Sequence, residues 1–139
     1  MTEGLGPGAT IDRLALQTAR ASAVLRADLD YLDETARAEL AALTVREEYQ
    51  MIALDGMRFV NLHVALQRRV LRAAVERLQG DIRDLSFELV EATRRHIVAN
   101  GRRAVWQWRR GLNVEWTGAM AGNRIRLWLV PNQGNNSDS

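Results

Sequence analysis

Apolar or small residues recur every three or four positions through the first third of the chain, with acids and arginines between them. This spacing predicts one long amphipathic helix over residues 11–43, which at 1.5 Å per residue would reach about 50 Å. Residues 4–8, with three glycines and a proline, predict a flexible lead-in, and Thr10 is the expected N-cap. A helical hairpin broken near residues 30–34 is the alternative, although neither glycine nor proline stands there. The positions that carry the pattern are Ile11, Leu14, Thr18, Ala21, Leu25, Leu29, Leu32, Ala36, Leu40 and Leu43.

The middle of the chain predicts two further helices. Residues 45–54, VREEYQMIAL, mix strand and helix signals, and we interpret them as a linker with a short strand. A short helical turn is expected over residues 55–62, followed by a helix over residues 63–78 that ends at Gly80. A third helix is expected over residues 86–100, from a serine cap to an Asn-Gly pair typical of a left-handed exit. These two helices would form the compact core.

Beyond Gly101 the hydrophobic period changes to two, which is typical of strands. The runs AVWQW (104–108), LNVEW (112–116) and RIRLWLV (124–130) predict an antiparallel meander. The predicted fold class is therefore α+β and mainly helical, with a long N-terminal helix, a small helical core and a C-terminal antiparallel β-meander of about three strands. Alternation places Leu112, Val114 and Trp116 opposite Asn113 and Glu115, and Ile125, Leu127 and Leu129 opposite Arg124, Arg126 and Trp128.

Charge is distributed unevenly along the chain. Residues 1–57 hold ten acids and five arginines, a net charge of −5, whereas residues 58–139 hold fourteen arginines and seven acids, a net charge of +7. All 19 basic residues are arginine, which excludes a lysine nucleophile or a phosphate-loop lysine in this chain. The guanidinium group suits phosphate recognition, but a GC-rich genome gives the same composition. Both explanations stay open at this point.

Several function classes lack the residues they need. The chain has no cysteine, which excludes a thiolate metal site and fits a reducing compartment. No signal peptide or membrane-length apolar run is recognisable, so a soluble cytoplasmic protein without membrane contact is expected. His63 and His96 occur in no metal-binding motif and are expected to be half-buried helix residues. No catalytic, cofactor-binding or metal-binding residue is predicted.

Arginine pairs are the remaining candidates for function. Arg68 and Arg72 share a predicted helix face, whereas Arg69 points toward the side of Glu76, where it could be the internal partner of an acid. Spacing along the helices also predicts ion pairs from Arg72 to Glu76 and from Glu91 to Arg95. A solvated surface and a phosphate footprint both explain the other arginines.

The tryptophans divide into two groups. Trp106, Trp108 and Trp116 are expected in the sheet core, whereas Trp128 alternates with arginines and would be a stacking platform or be covered by another domain. A basic surface with interleaved aromatic rings suits nucleic acid. The candidate RNA-binding residues are Arg68, Arg69, Arg72, Arg102, Arg103, Arg109, Arg110, Arg124, Arg126 and Trp128.

The run ALQRRVLRAAVERLQGDIRDLSFELVEA, followed by VWQWRRGLNVEW and RIRLWLV, resembles the substrate-binding region of tRNA(Ile)-lysidine synthetases. In that family a helix that opens with LPxALQRRLLR precedes a serine-capped helix and a hairpin with an LPGG turn. Residues 65–69, Leu71 and Arg72 match the first motif, whereas WRRG at 108–111 replaces LPGG and HVALQ replaces LPxALQ. The resemblance covers roughly residues 20–130 and includes the acidic linker helix.

Members of this family use ATP to join lysine to the wobble cytidine of a minor isoleucine tRNA, through an N-terminal PP-loop with an SGGxDS signature. Nothing in this sequence matches that signature. The resemblance implies a fragment: residues 1–44 as lead-in and linker helix, 45–131 as the tRNA-binding, substrate-recognition domain, and 132–139 as a disordered tail. It implies the minor isoleucine tRNA and the PP-loop domain of the same parent chain as partners. ATP and Mg are implied for the parent enzyme only, and this chain alone would be inactive.

A second hypothesis comes from another functional class. The long acidic helix and the basic head could form a non-enzymatic dimerisation or protein-interaction module, with a homodimer as the partner. The two hypotheses differ in what adjoins this segment, since only the first requires a PP-loop. They also differ for the variant Arg68→Ala plus Arg72→Ala, which on the first should weaken tRNA binding and flatten its salt dependence while leaving the fold intact.

Overall fold

The computed structural model describes residues 7–131, with side chains from residue 12 onward. Helix α1 (Pro7–Leu43) is continuous, so the predicted long helix is confirmed and the hairpin alternative is wrong. It begins before Thr10, which is therefore not its N-cap. The residues that precede Pro7 in the predicted lead-in and the predicted disordered tail at 132–139 lie outside the described residues. The chain divides within α1 into two compact units, Met1–Glu34 and Thr35–Ser139.

The second unit contains an antiparallel sheet, which has five strands in the part of the chain that the structure describes. Their order is β1-β2-β5-β4-β3, so the strand that comes last in the sequence lies at the centre of the sheet. The mixed α+β fold class is confirmed, although the predicted strand count of three was too low. The strands are β1 (Thr44–Glu48), β2 (Met51–Asp55), β3 (Ala104–Gln107), β4 (Leu112–Trp116) and β5 (Arg124–Leu129).

Residues 45–54, interpreted as a linker with a short strand, contain two strands instead of one. They pair as a hairpin joined by the turn residues Tyr49 and Gln50, and Gln50 adopts a left-handed φ of 60°. Four of the five β1 residues are exposed, whereas β2 is buried at three consecutive positions. An exposed edge strand followed by a short apolar run has no clear period of two, which explains why the pattern did not identify it.

The helices of the second unit follow the predicted boundaries closely. They are α2 (Gly56–Val60), α3 (Val64–Gln79) and α4 (Phe87–Val98). The Asp55 carboxylate accepts hydrogen bonds from two backbone amides at the start of α2, and the Ser86 hydroxyl accepts one at the start of α4. Gly80, with φ 84°, ends α3, and Asn100, with φ 55°, follows the end of α4.

One face of the sheet packs against the helices and forms the core. Strand β4 contributes Leu112, Val114 and Trp116, each at most 1% exposed, as the alternation predicted. Strands β2 and β5 add further aliphatic side chains, and α3 and α4 cover them. The helix residues between 35 and 43 also join this core through Leu40 and Leu43. The opposite face of the sheet, called the outer face below, carries Arg46, Glu48, Asn113, Glu115, Arg124, Arg126 and Trp128.

Candidate nucleic-acid interface

A buried carboxylate holds two helix arginines together between α3 and α4. Glu91 is 6% exposed and accepts hydrogen bonds from Nε and Nη2 of Arg68 at 3.0 and 2.6 Å. Arg94 reaches the same carboxylate with Nε at 2.7 Å and Nη2 at 3.1 Å. Arg95 forms the expected ion pair with Glu91 at 3.6 Å, although its side chain is 74% exposed. We call Glu91 with Arg68, Arg94 and Arg95 the Glu91 cluster.

The Glu91 cluster continues into a polar network that fixes α2. Nη1 of Arg94 donates to the Gln67 side-chain oxygen at 2.9 Å, and the Gln67 amide donates to the carbonyls of Phe59, Val60 and Leu62. Hydrogen bonds from Arg68 and then Arg94 hold the pKa of Glu91 well below its usual range. The cluster therefore links three helices, and Arg68 serves the fold as well as any ligand.

The arginines of the β3–β4 hairpin also have protein partners. The Arg109 side chain is only 11% exposed and contacts Asp84, the carbonyl of Asp81 and the Gln79 side chain. Arg110 pairs with Asp84 at 2.9 Å, and 58% of its side chain is exposed. Arg109, one of the candidate RNA-binding residues, therefore docks the hairpin onto the α3–α4 connection.

Three other candidate arginines remain accessible to different degrees. Arg72 is exposed and pairs with no described side chain, so the ion pair expected between Arg72 and Glu76 does not form. Arg102 is exposed as well, while its carbonyl oxygen lies 2.7 Å from Nε2 of His96. Arg69 is half-buried. Arg72 and Arg102 are thus the candidates best placed to meet a phosphate without first losing an ion pair.

A second buried carboxylate lies on the outer face of the sheet. Glu115 is 4% exposed and pairs with Arg103 at 2.6 Å and with Arg126 at 2.9 Å. The two arginine side chains are nevertheless 64% and 45% exposed, so their guanidinium groups still face solvent. The guanidinium carbon of Arg126 also lies 5.1 Å from the centroid of the Trp128 ring. We call Glu115 with Arg103 and Arg126 the Glu115 cluster.

Beside the Glu115 cluster, the β1–β2 turn and β5 enclose a concavity of about 630 Å³. Arg46, Tyr49, Arg124, Arg126 and Trp128 line it, together with Glu48 as its one acid among the described residues. Tyr49 is 90% exposed at the turn, and Trp128 is half-buried. Sequence reasoning found the three β5 residues but missed Arg46 and Tyr49, because it did not identify the hairpin that carries them.

The histidines and remaining tryptophans have structural contacts. Nδ1 of His63 accepts a hydrogen bond from the Ala65 amide at the start of α3, and this histidine is exposed rather than half-buried as expected. His96 packs edge-on against Trp106 with ring centroids 5.3 Å apart. Trp108 and Trp116 are buried in the core as predicted, and Trp106 packs against it.

The described residues contain no group of three or more histidine, aspartate or glutamate side chains placed to hold a metal ion. Among the helices they form, none combines the length and apolarity that a membrane span requires.

Comparison with known proteins identifies a family to which part of the chain is similar. Residues 54–114 match the family model for the TilS substrate binding domain, from the end of β2 through the three helices to β4. No curated protein matches the chain. A domain of this kind binds tRNA in a TilS-type protein. The match supports a TilS substrate-binding domain in residues 54–114.

Proposed function

We propose that this chain binds and positions the minor isoleucine tRNA for ATP-dependent ligation of lysine to the wobble cytidine. The match of residues 54–114 to the TilS substrate binding domain carries the proposal. In this role the chain is the cytoplasmic substrate-binding part of a tRNA(Ile)-lysidine synthetase. Contacts to phosphates orient an RNA without reading its sequence, and arginine is well suited to them.

The distribution of charge supports this proposal. Glu91 and Glu115 are each shared by more than one arginine, so both clusters keep a net positive charge. Arg72 and Arg102 add exposed positive charge on α3 and before β3. A surface with this excess of positive charge would attract an RNA backbone and release its counterions, which makes binding depend steeply on salt concentration.

Ligation requires parts that these residues do not provide. The sequence has no SGGxDS signature, and the described residues hold no acidic cluster suited to Mg. ATP and Mg are assigned to a PP-loop domain of the same parent chain, as the resemblance to tRNA(Ile)-lysidine synthetases implies. The coding sequence that adjoins this segment is a direct test, since a PP-loop signature there is required by the proposal.

Binding is tested by fluorescence anisotropy with the minor isoleucine tRNA, a different tRNA and a DNA duplex at several salt concentrations. Tighter binding of the minor isoleucine tRNA, with a slope of log K against log salt that reflects several phosphate contacts, is the expected result. Equal and negligible binding of all three ligands would overturn the proposal.

A second function is favoured by one observation on α1. Large apolar side chains on this helix are exposed in the first unit, including Leu14 at 56%, Val24 at 62% and Leu25 at 58%. Such a helix could join two copies of the chain, as the interaction-module hypothesis requires. Sedimentation equilibrium with Leu14→Gln plus Leu25→Gln tests this function, since it predicts a dimer that these substitutions dissociate.

A further inference from the structure

The outer-face concavity, lined by Arg46, Tyr49, Arg124, Arg126 and Trp128, lies entirely outside the segment that matches the family model. Two elements far apart in the sequence build it. The amide of Leu129 donates to the Gln50 carbonyl at 3.0 Å, and Met51 is the register partner of Trp128. The β1–β2 turn is thus fixed beside β5, and Tyr49 and Trp128 line one space.

The residues that line this concavity combine accessible aromatic rings with an excess of positive charge. Both aromatic rings are accessible, with Tyr49 almost fully exposed and Trp128 half-buried, and one face of Trp128 lies near the Arg126 guanidinium. Three arginines and one glutamate line it, so its charge favours an anion. Arg46 bonds to Glu48 at 2.7 Å, and among the described residues the Arg124 guanidinium donates only to the Gly122 carbonyl, at 3.2 Å.

From this arrangement we propose that the concavity binds an unpaired nucleotide of RNA, with its base against Tyr49 and Trp128 and its phosphates against Arg46, Arg124 and Arg126. An aromatic ring stacks only on a base that has left its helical stack, whereas arginines reach phosphates on either form. A duplex offers its backbone to the arginines but withholds its base faces from the rings. This inference rests on the proposed function and adds a single-stranded element to the RNA that the domain recognises.

The alternative ligand for the concavity would be a protein segment. An apolar peptide would bring no counter-charge to the net positive charge of the concavity, and an acidic peptide would leave the two rings without a matching surface. A nucleotide satisfies both features in one ligand, which is why the observations favour RNA.

The test uses the full chain and a fluorescein-labelled RNA dodecamer without self-complementarity, free or annealed to its complement. Wild type should bind the single strand more tightly than the duplex. Tyr49→Ala should weaken single-strand binding at least about fivefold, because a stacked base is lost, while Tyr49→Phe keeps the ring and retains most of the affinity. Tyr49 is so exposed that its replacement leaves the fold intact, whereas Trp128 lies on the central strand β5, where a substitution would disturb the sheet.

A matched pair of arginine variants isolates the anionic part of the ligand. Arg46→Ala and Arg77→Ala each remove one arginine that pairs with a β1 glutamate, but only Arg46 lines the concavity. Single-strand affinity should therefore fall severalfold more for Arg46→Ala than for Arg77→Ala. Equal effects of these two variants would overturn the inference.

The experiments distinguish a failure of the nucleotide inference from a failure of the proposed function. If wild type binds the minor isoleucine tRNA, but Tyr49→Ala binds the single strand as wild type does or the duplex binds equally well, only the nucleotide inference fails. If wild type binds neither the tRNA nor the dodecamer, both fail, and a protein ligand would have to explain the concavity.

Discussion

Two buried glutamates organise arginines on opposite sides of the second unit, with different results. In the Glu91 cluster the Arg94 side chain is 11% exposed, and the network continues through Gln67 into α2. In the Glu115 cluster both arginines remain largely exposed and one of them borders an aromatic concavity. The same pairing of carboxylate and guanidinium therefore joins helices in one place and displays oriented cations in the other. Which role an arginine has depends on what surrounds its charged end rather than on the ion pair itself.

The largest expected effect comes from removing Arg94 from the Glu91 cluster. Arg94→Ala should lower the free energy of unfolding by about 3 kcal/mol, because it leaves the Gln67 oxygen and part of a buried carboxylate without partners. Arg95→Ala, next in sequence but 74% exposed, is the matched control and should change stability by less than about 0.5 kcal/mol. Urea unfolding measures both, and similar losses would mean that the cluster does not link the helices.

Acid should weaken the same cluster. The pKa of Glu91 lies below its ordinary 4.5 in the folded chain, so its contribution to stability is present above that pH and is lost as pH falls toward the folded value. Wild type should therefore lose stability below about pH 4.5 more steeply than Glu91→Gln, which is less stable at neutral pH but lacks this proton uptake. Urea midpoints measured between pH 3 and 7 test this, and parallel curves for the two proteins would contradict it.

A smaller effect on stability and a clear effect on binding are expected at Arg126. Because Arg103 stays on Glu115, Arg126→Ala should cost less than about 1 kcal/mol of stability. Its affinity for the minor isoleucine tRNA should fall about fivefold, with a salt slope reduced by about one. Anisotropy titrations at several salt concentrations measure both quantities. An unchanged slope would mean that Arg126 of the Glu115 cluster does not contact an RNA phosphate.

The smallest effect should come from Arg72. Replacing Arg72 alone separates its contribution from that of Arg68, which the double substitution Arg68→Ala plus Arg72→Ala cannot do. Arg68 is bonded to Glu91, so the double variant perturbs the fold as well as the surface. Arg72→Ala alone should leave the urea midpoint unchanged and lower tRNA affinity about twofold, again with a shallower salt slope. A loss of stability in this single variant would show that Arg72 has a structural role after all.

The predictable part of the fold was the part with local signals. The cap at Ser86, the glycine exit at Gly80 and the alternation over residues 112–116 each lie within a few residues of the structure they determine. The hairpin over residues 44–55 lacked such signals, because its turn is Tyr-Gln and its edge strand β1 is mostly polar. Such a strand is recognised only through the neighbour with which it pairs.

Sequence reasoning named part of the candidate site, but not Arg46 or Tyr49, and it could not predict how the residues are arranged. Arg68 meets Glu91 across 23 positions of sequence, and Arg110 meets Asp84 across 26. No helical spacing connects such pairs, so the sequence could not tell bonded arginines from accessible ones. The same limit applies to Tyr49 and Trp128, which only the sheet order brings together. That the ten candidate residues contact RNA remains a prediction.

The central position of β5 also has a consequence for synthesis on the ribosome. Strands β2 and β4 both pair with β5, so neither side of the sheet can be completed until residues 124–129 have emerged. Until then the apolar edges of β2 and β4 lack their partner and must be protected by the helices or by a chaperone. A nascent chain arrested after residue 116 should therefore be digested by protease across β2, whereas one arrested well beyond residue 129 should resist.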